Sequence, residues 1–218
     1  MIDINQKRGR LSALAVGHIT HDRYGQTLAP GGSVLYAAKT LQALGVEAAI
    51  ATSLGDDFVF QDQLEGITLS VIQCSATTVF ENTYPKDAPR LMLVEHTAEP
   101  VTPTNLPIEL SDIDILFLAP VIGEVSLIEW LSALQKTAIK ARIVGIGLQG
   151  FLKQPGRLYE PDRPGRMLAP TEFKLPDSLP LGVTAAFMSK EDLDGFADKD
   201  LLGNLRRMIS IVAVTDGE

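Results

Sequence analysis

The chain has 218 residues, 45% of them hydrophobic and 21% charged, and a formal net charge of −8. That length buries a sizeable core, as one large domain or one domain with a small appendage. The acidity argues against a nucleic-acid backbone or an anionic membrane as partner, both of which reward clustered Lys and Arg. No apolar run approaches the ~20 residues of a spanning helix, and Cys74, the only cysteine, excludes an intramolecular disulfide and a cysteine-based metal cluster.

Residues 1–10 are polar and lack the apolar stretch of a secretory leader, so a cytoplasmic location is expected. Residues 12–17 form a continuous apolar run ending in glycine, the pattern of a strand covered on both faces. His18, Ile19, Thr20, His21 and Asp22 follow. Ligands of open α/β sheets bind beyond the carboxyl ends of strands, where Asp22 can accept hydrogen bonds from substrate hydroxyls. A solvated turn aspartate reads equally well. His18 and His21 have no third metal ligand nearby. A Pro-Gly-Gly turn ending at Gly31-Gly32 runs into an amphipathic helix, with Val34, Ala37, Ala38, Leu41 and Leu44 on its apolar face and Gly45 at its stop. The paired glycines let backbone N–H groups approach a ligand closely; as bare pattern the turn is also an ordinary entry to a crossover helix.

Residues 46–54 read as a second buried strand, and Gly55-Asp56-Asp57 as a turn and helix N-cap. Strand, helix and strand over 12–54 make a βαβ unit. Between 67 and 97 two β-like stretches adjoin without a helix, joined by a Pro-rich turn at 85–89, so a hairpin excursion or flap is expected. Pro100, Pro103 and Pro107 mark a linker. Residues 113–119 read as a core strand, followed by a helix with Val125, Ile128, Leu131, Leu134 and Ala138 on one face. The strand at 141–147 leads into a weak glycine loop, Gly145 to Gly150. Residues 155–180, rich in Pro, Gly, Arg and Asp, read as irregular surface. A strand at 183–188 precedes a capped helix start at Ser189 to Leu193, a helix at 201–208 and a last strand at 209–215. The chain then stops, so either the domain is truncated or that strand is an edge needing cover.

Taken in order, these residues resemble the PfkB (ribokinase-like) carbohydrate kinase family. Val16 to Asp22 is similar to that family's first strand and sugar-binding aspartate. Gly31-Gly32 resembles its N-terminal glycine signature, and Gly55-Asp56-Asp57 its Gly-x-Asp turn. Thr77 to Glu81, Gln149 and the closing Val214-Thr215-Asp216-Gly217-Glu218 look closest to an inositol-kinase-like branch. The resemblance implies a three-layer α/β/α sandwich with a small β flap. It implies one domain over 1–218, incomplete at its C-terminus, with flap excursions around 18–31 and 77–97. The implied activity is transfer of the γ-phosphate of ATP, with Mg²⁺, to a hydroxyl of a small sugar or polyol. Asp22, Gly31, Gly32, Tyr36 and Gln149 would meet the acceptor. Ser189, Asp192, Thr215 and Gly217 would meet the nucleotide, with Asp192 at the metal.

Ser189 and Asp192 fall on the family's Asn-x-x-Glu positions, each with a shorter side chain, and Tyr36 stands where many members carry asparagine. The family's second signature, Asp-Thr-x-Gly-Ala-Gly-Asp, is not in the sequence. It would supply the anion hole and the proton-removing aspartate. No catalytic residue is therefore assigned, and little phosphotransfer is expected from this chain alone. The alternative is a non-catalytic polyol-binding or assembly module. A nicotinamide-binding Rossmann domain is disfavoured, because the turn after the first strand lacks three spaced glycines. In the family such flaps often pair between subunits, so the resemblance allows a homodimer through the flap, and a monomeric lid that shields the site from water reads equally well.

Overall fold

The computed structural model describes residues 10–87, 90–161, 163–180 and 182–216. In chain order the elements are β1 (Ser12–Val16), β2 (Thr20–Tyr24), β3 (Thr27–Gly31), α1 (Ser33–Ala43), β4 (Glu47–Gly55), β5 (Thr68–Cys74), β6 (Thr78–Thr83), β7 (Leu91–His96) and β8 (Asp112–Leu118). They continue with α2 (Leu127–Gln135), β9 (Lys140–Gly147), β10 (Lys153–Glu160), β11 (Arg163–Pro170), β12 (Val183–Ser189), α3 (Lys190–Phe196), α4 (Leu201–Met208) and β13 (Ile211–Thr215). Two sheets form. Seven strands run in the order β13-β12-β9-β8-β1-β4-β5, each neighbour pair parallel. Six run in the order β10-β11-β7-β6-β2-β3, a mixed sheet in which only β2 and β6 pair in parallel.

One face of the parallel sheet is covered along β1, β8, β9 and β12 and the other over β1 and β4, so the covered stretches read as apolar runs, whereas Ile143 of β9, Phe187 of β12 and Ile211 of β13 are exposed. On one face Leu14, Val16, Leu116, Leu118, Val144 and Ile146 pack with α2 and α4. On the other, Ala15, Ala48 and Ile50 pack with Val34, Leu35 and Ala38 of α1. This is a three-layer α/β/α sandwich with a second, smaller sheet beside it.

Several elements depart from the sequence reading. In α1 the third large buried contact is Leu35, whereas Leu44 is 74% exposed, since the helix ends before it. In α2, Trp130 lies in the core and donates its indole N–H to Val101 O, while Ile128 is 71% exposed. The stretch 68–74 belongs to the parallel sheet as its edge strand, reached from β4 through a short 3-10 turn, Gln61–Leu64, in place of a helix. Asp57 therefore caps no helix. Its carboxylate accepts the Thr77 N–H and O–H at 2.8 and 2.7 Å, anchoring the chain where it enters β6. Residues 153–170 form a hairpin where irregular surface was expected. Its outer strand β10 is a sheet edge with register shifts after Pro155 and Leu158, a setting that tolerates proline and bulges. Cys74 is half-buried, short of a full core position. β13 is the edge of the parallel sheet, with Ile211 and Val214 exposed.

Candidate functional site

Residues of both sheets line one cleft. After β1 the chain leaves the parallel sheet at residues 17–19 and enters the second sheet as β2. That junction is held by Glu124, a buried carboxylate that accepts the N–H groups of His18 (2.9 Å), Val121 (2.9 Å) and Ile122 (2.8 Å). His18 is fully buried beside it. One ring nitrogen meets Glu99 O at 2.8 Å and the other meets Thr78 Oγ1 at 2.8 Å. Glu99 O can only accept, so Nε2 donates to it, while Thr78 Oγ1 also accepts the Ala98 N–H. His18 thus ties the β1–β2 connection to the start of β6 and to the segment after β7.

Alternation along β2 sends Thr20 and Asp22 to the cleft and His21 to the other side. There His21 stacks on Phe58 at 5.2 Å. Burial pushes its imidazole below the usual value, with Asp57 opposing. Thr20 donates its hydroxyl to Asp22 Oδ1 at 2.9 Å. Burial pushes the Asp22 carboxyl above its ordinary value, against the opposing pull of Thr20 and Arg90. Gly31 lies directly behind. A Cβ there would sit 2.5 Å from the Asp22 carboxylate and closer still to Thr20 Oγ1. Gly32, the residue before α1, has φ +96°, and a Cβ would overlap His18 O. Both glycines are fixed by close approach, one to a side chain and one to backbone.

The cleft is about 470 Å³. Of the residues singled out in the sequence, Asp22, Gly32, Tyr36, Gln149, Ser189, Asp192 and Thr215 line it. Gly31 is buried just behind Asp22, and Gly217 lies outside the described residues. Tyr36 stands at the rim, 58% exposed, donating its hydroxyl to Pro30 O. Of the lining residues not singled out in the sequence, four polar ones bear on the chemistry: Thr20, Asn82, Arg90 and Lys153. Thr20 and Asn82 follow from strand alternation, sharing faces with Asp22 and Phe80. Asn82 is only 4% exposed, and its Oδ1 has no hydrogen-bond partner among the described residues. Arg90, at the start of β7, reaches both carboxylate oxygens of Glu191 in α3 at 3.2 and 3.0 Å, bridging the second sheet to the body. The fourth, Lys153, had no local signal at all.

Lys153 alters the reading of Asp192. Its side chain is 2% exposed and its ammonium lies 2.5 Å from Asp192 Oδ1. Asp192 Oδ2 accepts the Ser189 O–H (2.7 Å) and N–H (3.2 Å), and Ser189 Oγ accepts the Asp192 N–H in return, closing a capping box on α3. Both oxygens are therefore engaged within the protein. Among the described residues no group of three His, Cys, Asp or Glu is arranged to hold a metal ion. The Mg²⁺ that the resemblance assigns to Asp192 does not fit these residues.

No family model matches this sequence, and comparison with curated proteins gives no match. Solved structures do match. A pyrophosphate-dependent kinase in the ribokinase family, complexed with a pyrophosphate analog and myo-inositol, superposes with a TM-score of 0.68 at 17% identity, over 94% of this chain and 73% of that one. A fructokinase from Xylella fastidiosa with bound ATP gives 0.61 at 14% identity, over 95% and 72%. The ribokinase from Giardia lamblia gives 0.54 at 14%, over 95% and 70%. These likenesses define the class: the chain has the ribokinase-like fold, a three-layer α/β/α sandwich with a lid sheet. Among the described residues no helix is long and apolar enough to cross a membrane.

Proposed function

We propose that this chain carries the acceptor side of a cleft for phosphoryl transfer to a hydroxyl of a small sugar or polyol. The observation that carries the reading is the convergence of Asp22 and Asn82 on one cleft wall. Asp22 Oδ1 is aimed by Thr20, and Asn82 Oδ1 is a nearly buried acceptor that meets no donor among the described residues. An unpaired buried acceptor costs about 1–3 kcal/mol, a cost that a ligand hydroxyl removes. Two acceptors of this kind suit a ligand bearing several O–H donors. Tyr36 and Gln149 would frame the same ligand.

In the reaction, the acceptor hydroxyl oxygen bonds to phosphorus as the donor's bridging P–O bond breaks. The hydroxyl proton passes to solvent or to the departing phosphate oxygen, and the donor leaves as a nucleoside diphosphate from ATP or as phosphate from pyrophosphate. ATP and pyrophosphate are the donor classes that the structural neighbours' names support. The described residues contribute binding and orientation, with closure by the lid sheet excluding water. We assign proton removal to none of them, and for these 218 residues tested alone we expect turnover well below the ~1–100 per second of kinases.

The test is calorimetry on this chain with myo-inositol and a panel of neutral sugars, without donor. Binding that weakens at least about tenfold in Asp22→Ala and in Asn82→Leu, the worth of one hydrogen bond to a charged or buried group, supports the reading. No polyol or sugar binding, or binding indifferent to Asp22→Ala, refutes it. Rapid turnover with either donor would overturn the expected inactivity alone.

A further inference from the structure

The same cleft holds a buried cation that the acceptor side does not use. Lys153 opens β10, directly after the 3-10 turn Gln149–Phe151. It is among the largest fully buried side chains of the protein, yet it lines the cleft. An ammonium carries three N–H donors. Among the described residues its one oxygen partner is Asp192 Oδ1, and the Phe196 ring lies 4.8 Å from Nζ on another side. A single buried ion pair gains little over an apolar pair of the same volume, because both charges must be stripped of water. Here the pair stands at a cavity wall with donor capacity left over. Asp192, for its part, is held by Ser189 in the orientation that presents Lys153.

We infer that Lys153 is the phosphate-binding residue of this cleft, and that its ammonium takes the place a metal ion would hold at Asp192. The occupant is the anionic phosphate of the phosphoryl donor, so the inference rests on the proposed function and names the donor end of the same cleft. A phosphate oxygen accepts the remaining ammonium N–H groups. Asp192 stays paired on the far side and orients the cation through the Ser189 cap. The donor end then consists of a charge built into the chain, and phosphate binding there requires no divalent ion.

The probe is pyrophosphate, titrated by calorimetry into the 218-residue chain in EDTA and again in magnesium chloride. The expected result is binding in EDTA that Lys153→Arg keeps. Lys153→Met/Asp192→Asn weakens it at least about tenfold, the loss of one charge-assisted hydrogen bond. Neutralising both partners avoids stranding a buried carboxylate, and circular dichroism with the thermal midpoint checks that the variant is folded. A merely structural pair would move the thermal midpoint and leave pyrophosphate affinity alone. The inference is overturned if pyrophosphate fails to bind in EDTA, binds only with Mg²⁺, or binds the double variant as well as the wild type. Polyol binding in parallel separates the two readings: its loss in the wild-type chain counts against the acceptor side, whereas pyrophosphate binding reports on Lys153.

Discussion

Gly31→Ala tests the acceptor side without replacing any group that would contact the ligand. Gly31 is not in the left-handed region, so alanine brings no backbone penalty there, only a methyl group. That methyl would sit 2.5 Å from Asp22 Cγ and Oδ1, about 1 Å inside an optimal heavy-atom contact. Asp22 must rotate away, and its 2.9 Å bond from Thr20 breaks. Overpacking of this kind costs about 1–3 kcal/mol, and a hydrogen bond to a charged group is worth about 1.5–3 kcal/mol. A net loss of about 2 kcal/mol in acceptor binding is roughly thirtyfold in Kd. Calorimetry with the bound polyol reads it directly. In an Asp22→Ala background the carboxylate is gone and the Thr20 hydroxyl, freed of its acceptor, is the one close side chain left and can rotate aside, so the second substitution should cost less, with a coupling of at least about 1 kcal/mol. Polyol affinity within twofold of wild type in Gly31→Ala, or additive effects in the double variant, would refute the argument that Gly31 exists to admit Asp22.

Asp22 should also leave a pH signature. Its carboxyl is pushed up by burial, so between its ordinary and folded values the native state holds the extra proton, and stability falls as pH rises through that window. Asp22→Asn should remove this slope and raise the thermal midpoint at neutral pH while weakening polyol binding. In the wild type, polyol affinity should fall on acidification, as protonation spoils the acceptor. His21 runs the other way: its value is pushed down by burial, so its contribution is lost as pH falls below its ordinary range. His21→Phe should flatten that limb alone. Glu124→Gln presents an amide to backbone N–H groups that now meet a carboxylate. It should cost about 3 kcal/mol, or roughly 6–12 °C of thermal midpoint for a chain of this size. Arg90→Met should leave the midpoint nearly unchanged, because the Arg90 and Glu191 side chains are 27% and 54% exposed and such pairs are worth about 0–1 kcal/mol. Amide exchange in β6 and β7 should nevertheless quicken as the bridge to α3 is cut.

The parallel sheet was legible because β1 and β4 are walled on both faces and the later halves of β8 and β9 are packed against the core, so those stretches are apolar, while the exposed start of β9 keeps Lys140 and Arg142. The βαβ start, the turn at Gly31-Gly32 and the position of Asp22 followed from that. The hairpin at 153–170 was not legible: an edge strand facing water on one side accepts the prolines, glycines and charges that elsewhere spell loop. Ile128 misled because a helical period fits two registers, and Trp130 decided between them. Asn82 was recoverable from alternation with Phe80. Lys153 was not, since its burial depends on Asp192, a partner far along the chain that no local pattern links to it.

The lid sheet takes its strands from three separate stretches, 20–31, 78–96 and 153–170, and the one parallel seam among them sets Thr20 beside Thr78. Only its hairpins are local; the rest is long-range closure, which is slow to form. During refolding the cleft should therefore be the last part of the molecule to appear, after the layered body has set. A chain caught before that moment presents unpaired strand rims to its neighbours, so the yield of native protein should fall steeply with concentration while the helical signal recovers early.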